Sequence, residues 1–316
     1  MAHLQATSPD GLSVDPLSGI NGLEQAAAWA QQAAALVLDA STVVLDGPGD
    51  LDDAIALAQI EAALLDLGRP YRRRLTRPRR FLDAPPGLSV EPEPGACVVA
   101  VRDGPDAHPT TQVPSDSLVM LVPVTASVSL GRDGTVRHGA LTPSVSAAML
   151  AEHLAPTGHR VRRVRALALV AQWRRGALDA AFDPMYTVLR DHCAGDGTIR
   201  VVSLAETDAV PNHLPPGLQR ALLGRLRRSW SRLDLEARAR GMSEVVLPSL
   251  LEPGTATARL EELVWHRPSV PGQSHDLLDQ ATSADLDLPG DEDEAMVSMS
   301  RRMDLMLREG LLHVDA

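Results

Sequence analysis

Lysine is missing from this chain of 316 residues, so all 30 strongly basic side chains are arginine. Cysteine occurs twice, as Cys97 and Cys193. Two thiols cannot build a zinc cage, and their separation excludes a local redox motif. Each lies near an apolar run, so buried free thiols are expected. Aromatic residues make up only 3% of the chain, which argues against a stacking platform for single-stranded bases. No apolar run reaches spanning length and no signal-like segment opens the sequence. A soluble, cytoplasmic protein with no membrane partner is the expectation. The net charge of −11 disfavours a dedicated nucleic-acid coat but permits a local basic groove.

What is present organises as alternating strands and helices. The most informative stretch runs Val43-Val44-Leu45-Asp46-Gly47-Pro48-Gly49-Asp50-Leu51-Asp52-Asp53. An apolar strand stops at an aspartate, turns, and feeds a helix over 51–67 that ends at Gly68, a residue suited to a helix C-terminus. A helix over 22–38 precedes it. Strands are predicted at 42–45, 70–75, 96–101 and 118–122, with a turn at 131–134 and a Pro143-initiated helix to residue 154. Helices at 164–174 and 184–193 and a strand at 199–204 follow. This order predicts an α/β fold, a mostly parallel sheet covered by helices, with a helical C-terminal extension. The expected organisation is a loose leader (1–21), an α/β domain (22–204), a helical extension (205–275) with helices at 217–240 and 256–265, and an acidic linker with a terminal amphipathic helix (276–316).

Four carboxylates at a strand end suit a hard divalent cation, and aspartates also favour helix N-termini because they cap free N–H groups. Both explanations fit Asp46, Asp50, Asp52 and Asp53. Arg72, Arg73 and Arg74 stand in a basic run that suits phosphate tracking or a charged strand edge that discourages aggregation. Residues 276–294 hold eight acids and no base, the signature of a solvated linker. In the helix over 295–312, Met296, Met299, Met303 and Met306 share one face. They are expected either in a core or against a partner groove or a groove of the protein itself.

The order of these pieces resembles the RecJ-like branch of the DHH phosphoesterases, especially archaeal members that associate with the GINS complex. Asp46-Gly47-Pro48-Gly49-Asp50-Leu51-Asp52 has the spacing of the family's His-x-x-x-Asp-x-Asp motif, with Asp46 in place of the histidine. Leu67-Gly68-Arg69-Pro70-Tyr71 resembles the family's turn into a basic strand, and Asp103 is placed for the metal-binding aspartate after the third strand. Gly139 to Ala151 and Ala166 to Ala171 resemble two later helices. The likeness covers roughly residues 22–204. Two departures stand out: Val122-Pro123-Val124 occupies the place of the Asp-His-His motif, and Trp173-Arg174-Arg175 replaces an expected acid. Two-metal phosphodiester cleavage needs several ligands to hold both ions.

The resemblance therefore implies vestigial metal positions at Asp46, Asp50, Asp52 and Asp103, no assigned catalytic residue, and no required cofactor, with Mn or Mg relevant only to residual activity. It implies a replication or repair scaffold like the family's eukaryotic member, cell division cycle protein 45. Partners would be GINS-like proteins, a helicase or single-stranded DNA, the last through Arg72–Arg74. The alternatives are an active, divergent DHH phosphoesterase or single-strand exonuclease, and a nucleoside hydrolase. The last is suggested by Asp46 and Asp52-Asp53 and by a late His275-Asp276 pair, whose acidic, polar setting predicts a surface position.

Overall fold

The computed structural model describes residues 15–82, 93–102, 114–115, 117–131, 134–175, 182–252 and 256–313. Four strands, β1 (Thr42–Pro48), β2 (Tyr71–Thr76), β3 (Ala96–Val101) and β4 (Leu118–Leu121), form one parallel sheet in the order β2-β1-β3-β4. Helix α1 (Glu24–Asp39) precedes β1, and α2 (Leu51–Leu67) crosses from β1 to β2. The chain then returns to the other side of β1. The strand order thus reverses between β1 and β3, where open α/β sheets form a crevice outside the strand C-termini. Every residue of β3 is buried, as an interior parallel strand requires. The expected class, a mostly parallel sheet flanked by helices with a helical C-terminal region, is observed.

Helix α2 ends where the sequence predicts. Gly68 takes φ +65°, and its amide donates back to the Leu64 and Leu65 carbonyls, a left-handed closure that glycine accepts without a Cβ penalty. Helix α2 packs on α3 (Pro143–Leu154) and α4 (His159–Val164). Because it is buried on most sides, its polar residues need internal partners; Gln59 donates to the Val164 carbonyl at 2.8 Å. Helices α5 (Leu167–Arg174) and α6 (Pro184–Gly195) follow. Both thiols are free and buried. Burial pushes Cys97 up to about 11 and Cys193 up to about 12, so neither is a nucleophile at neutral pH.

Three expectations change. The turn expected around Gly131 and Gly134 joins two strands that the sequence does not predict, β5 (Val124–Leu130) and β6 (Thr135–Leu141), antiparallel, with Val124 opposite Leu141. The second strand is mostly solvent-exposed and lacks the apolar alternation that marks a strand in sequence. The single helix expected over 217–240 is two, α7 (Arg220–Ser229) and α8 (Leu235–Val246), separated by a short 3-10 turn. Asp234 caps α8, accepting from the Ala237 amide at 2.8 Å, and Trp230 turns inward. With α9 (Thr257–Trp265) these helices share a small second core that includes Leu204, Leu223, Leu226, Trp230 and Met242. A two-stranded ladder joins β7 (Arg200–Val202) to β8 (Arg267–Ser269).

The third change concerns the acidic stretch. Residues 276–294 contain α10 (Leu277–Leu286), and Leu277, Ala281 and Ala284 enter the main core. Asp276 and Asp279 are buried, the first as the cap of α10 and the second accepting from the Asn212 and His213 amides, while Asp287, Asp291, Asp293 and Glu294 are exposed. Helix α11 (Glu292–Glu309) follows, and Met299, Met303 and Met306 are completely buried in the same core, with Met296 half-buried. Of the alternatives for the methionine face, the core is the one observed for Met299, Met303 and Met306. Its long, unbranched side chains fill the irregular space over α2 and α4. Among the described residues no helix is long and apolar enough to cross a membrane.

Candidate functional site

The crevice between β1 and β3 collects the acidic turn. Asp46, near the end of β1, is fully buried, and Arg102, just past β3, donates to its Oδ2 from Nη2 at 2.9 Å. Asp50 is the N-cap residue of α2, yet its carboxylate does not cap the helix. Instead Asp50 Oδ2 accepts from the Arg79 backbone amide at 2.9 Å and from Arg79 Nη1 at 3.3 Å. Asp53, fully buried one turn along, takes the same guanidinium in a bidentate fork, with Arg79 Nη2 to Oδ1 at 2.7 Å and Nη1 to Oδ2. Asp52 Oδ1 accepts from Arg174 Nε at 2.7 Å, and Arg174 Nη1 also pairs with Asp285 of α10. Ser144 of α3 fastens the turn by donating to the Asp52 carbonyl at 2.9 Å.

Carboxylates packed this closely repel one another unless cations stand between them. Here the cations are guanidiniums. Burial works against the charge on Arg174, but Asp52 and Asp285 more than offset it and hold its pKa above the ordinary arginine value. Among the described residues three arginines serve five carboxylates.

Among the described residues these carboxylates are held by guanidiniums and are not gathered round an ion site. Both oxygens of Asp53 are taken by Arg79, and Asp46 and Asp52 each face a different arginine. Among the described residues no group of three or more His, Cys, Asp or Glu side chains is arranged to hold an ion. Asp103 lies outside the described residues. Among the described residues Asp46, beside β3, is the counter-ion of Arg102.

The basic strand divides. Arg73 points into the protein, where Nε and Nη2 donate to Glu61 of α2 at 2.8 and 2.6 Å, Nη2 to Asp304 at 2.8 Å, and Nη1 to Ser300 Oγ at 3.0 Å. It clamps α11 to the sheet edge and is not available to a phosphate, a correction that follows from strand alternation. Arg72 and Arg74 point outward from the edge strand β2 and are exposed, with Arg72 3.6 Å from Glu93. His275 and Asp276 are also structural. Asp276 caps α10, is nearly fully buried and binds Arg267 through two bonds of 2.9 Å, while His275 Nδ1 contacts Asp279 at 3.0 Å. The surface position expected for this pair fails for Asp276, which is buried because Arg267 supplies the compensating charge, while His275 stays partly exposed.

Arg102 and Arg174 are the residues that sequence reasoning misses. Trp173-Arg174-Arg175 is visible as a reversal of charge at a place where an acid is expected, and that reversal is the signal of a guanidinium facing the acidic turn. No family model matches the chain, and no curated protein sequence matches it. Among solved structures it is similar to RecJ in complex with Mn2+ from Thermus thermophilus, at 16% sequence identity over 94% of this chain, with a TM-score of 0.31. The chain spans 38% of the length of that protein.

Proposed function

We propose that this chain is a non-catalytic, DHH-type α/β scaffold that works as an accessory in DNA replication or repair, with GINS-like proteins or a helicase as partners. The observation that carries the reading is the arginine set Arg79, Arg102 and Arg174 lodged against Asp53 and Asp50, Asp46 and Asp52. A nuclease of this type needs those carboxylates free to hold ions that neutralise the scissile phosphate. With guanidiniums bound to them, these carboxylates already have cations of the chain itself as partners. The order and spacing of motifs over residues 22–204 supply the replication context. Contact with single-stranded DNA, if made, falls to the outward Arg72 and Arg74, since Arg73 is committed inside.

Purified protein with single-stranded DNA or RNA oligonucleotides, dinucleotides and nucleosides, in manganese or magnesium, is expected to show no turnover above background. Turnover that disappears in Asp50→Ala overturns the scaffold reading and restores the phosphoesterase one. Nucleoside cleavage lost in the same variant favours the nucleoside hydrolase alternative. The partner arm is a pull-down with purified GINS-like and helicase proteins, and failure to retain either removes that assignment.

A further inference from the structure

A cavity of about 280 Å³ opens at the C-terminal end of the parallel sheet, beside β4. Its walls come from the first turns of α1, the end of β4, β5 and the first turn of α3. Val122 and Val124, which stand where the sequence resemblance calls for a metal-binding histidine motif, form part of the apolar wall with Ala126 and the ring of Trp29. One buried polar residue stands in that wall. Ser146 is 3% exposed, lines the cavity, and its Oγ has no hydrogen-bond partner among the described residues. A buried hydroxyl left unsatisfied is costly, and such groups mark a place for a missing partner.

The mouth carries charge of one sign. Glu24 lies at the rim and accepts from the Gly22 amide at 2.9 Å. That bond, with the Glu24 amide, holds its carboxyl below the usual glutamate range, so the rim stays negative near neutral pH. Among the described residues the lining holds no arginine or histidine. Phosphates, carboxylates and nucleotides thus meet repulsion and no counter-charge. The volume of about 280 Å³ falls just below the roughly 300 to 1,000 Å³ of typical small-molecule sites and suits a compact ring system.

We propose that this cavity binds an uncharged, mainly apolar ring compound whose single polar group hydrogen-bonds Ser146 Oγ once that hydroxyl rotates toward the cavity. The apolar wall supplies the affinity, the Trp29 ring packs on the compound, Ser146 orients it, and Glu24 excludes anionic analogues. The site shares no residue with the carboxylate–arginine ledge, so it stands whether or not the scaffold reading does.

Two dyes that differ by one sulfonate test it with the full chain: N-phenyl-1-naphthylamine, neutral with one N–H, and 1-anilinonaphthalene-8-sulfonate. The neutral dye is expected to bind at one site per chain with blue-shifted emission excited through tryptophan. Its anionic counterpart should bind at least ~5-fold more weakly, the scale of one like-charge contact in a water-like dielectric. Glu24→Gln should narrow that gap. Ser146→Ala should weaken the neutral dye about two- to tenfold, the range for one neutral hydrogen bond. Ala126→Leu fills the cavity and Thr125→Trp plugs its exposed mouth without touching the core, and both should abolish the signal. Neutral-dye binding that survives both plugged variants places the dye on the exposed Leu247–Leu251 face and overturns the assignment. Equal affinity for the two dyes, or none for the neutral one, overturns it as well.

Discussion

Replacing Arg79 by alanine withdraws one guanidinium from two carboxylates, one of them completely buried. Asp53 is 0% exposed, while the Arg79 side chain is 22% exposed. Breaking a fully buried ion pair by removing one partner costs about 3–5 kcal/mol. Water reaches Arg79 and screens part of the interaction, so a loss of about 2–4 kcal/mol is expected. For a chain of this size about 2 °C of melting temperature accompanies each kcal/mol, giving a fall of roughly 4–8 °C by circular dichroism. The double variant Arg79→Ala/Asp53→Asn should recover about half of the loss, because the buried charge leaves with its counter-ion. Manganese supplies the sharper test. A cation that binds only the folded state raises its melting temperature. The single variant, with Asp50 and Asp53 released from Arg79, should be stabilised by millimolar manganese, and the parent should not. If Arg79→Ala melts within about 1 °C of the parent, on that same scale, the arginine does not carry the burial of Asp53. If the parent responds to manganese as strongly as the variant, the ledge is open to metal after all.

Other perturbations test the packing around it. Glu152 ion-pairs with Arg165 at 2.8 Å and accepts from the Leu17 amide at 2.8 Å. Burial nevertheless pushes its carboxyl up to about 7, with Arg165 and the Leu17 amide opposing and Asp196 assisting the rise. The folded state therefore holds a proton between pH 4.5 and 7 that the unfolded chain gives up, so this group's contribution to stability falls as pH rises through that window and is fully lost above it. Denaturant midpoints measured from about pH 5 to 8 should show that slope in the parent and a flatter one in Glu152→Gln. Met303→Ala should cost about 2–5 kcal/mol, the range for truncating a fully buried side chain, and deletion of residues 291–316 should unfold or strongly destabilise the α/β domain in a urea melt. A truncated chain with an unchanged midpoint would return α11 to the role of a detachable partner helix.

Much of the framework is legible without coordinates because its signals are local. Helix 51–67 announces itself by an aspartate-rich start and by Gly68 at its end, helix 143–154 by Pro143, and β3 by an unbroken apolar run. The alternation of such elements with strands is enough to specify a parallel α/β sheet. Signals weaken where the residues serve distant neighbours. The strand 135–141 is exposed and shows no alternation, so only its pairing with β5 defines it. The acidic run at 276–294 reads as solvated because its carboxylates outnumber its leucines, yet Leu277 is buried in the main core and Leu278 in a small cluster with Trp173 and Tyr186.

The acidic turn itself is visible in the sequence, but its chemistry is not. Asp52 and Arg174 stand 122 residues apart, and Asp46 and Arg102 stand 56 apart; no window of sequence contains either pair. The order β2-β1-β3-β4 lays the end of β3 beside the end of β1, and the packing of α5 brings Arg174 over the start of α2. Sequence alone determined that carboxylates gather at a strand end. Tertiary structure decided that guanidiniums meet them there, because electrostatic pairing depends on distance through space and not on separation along the chain.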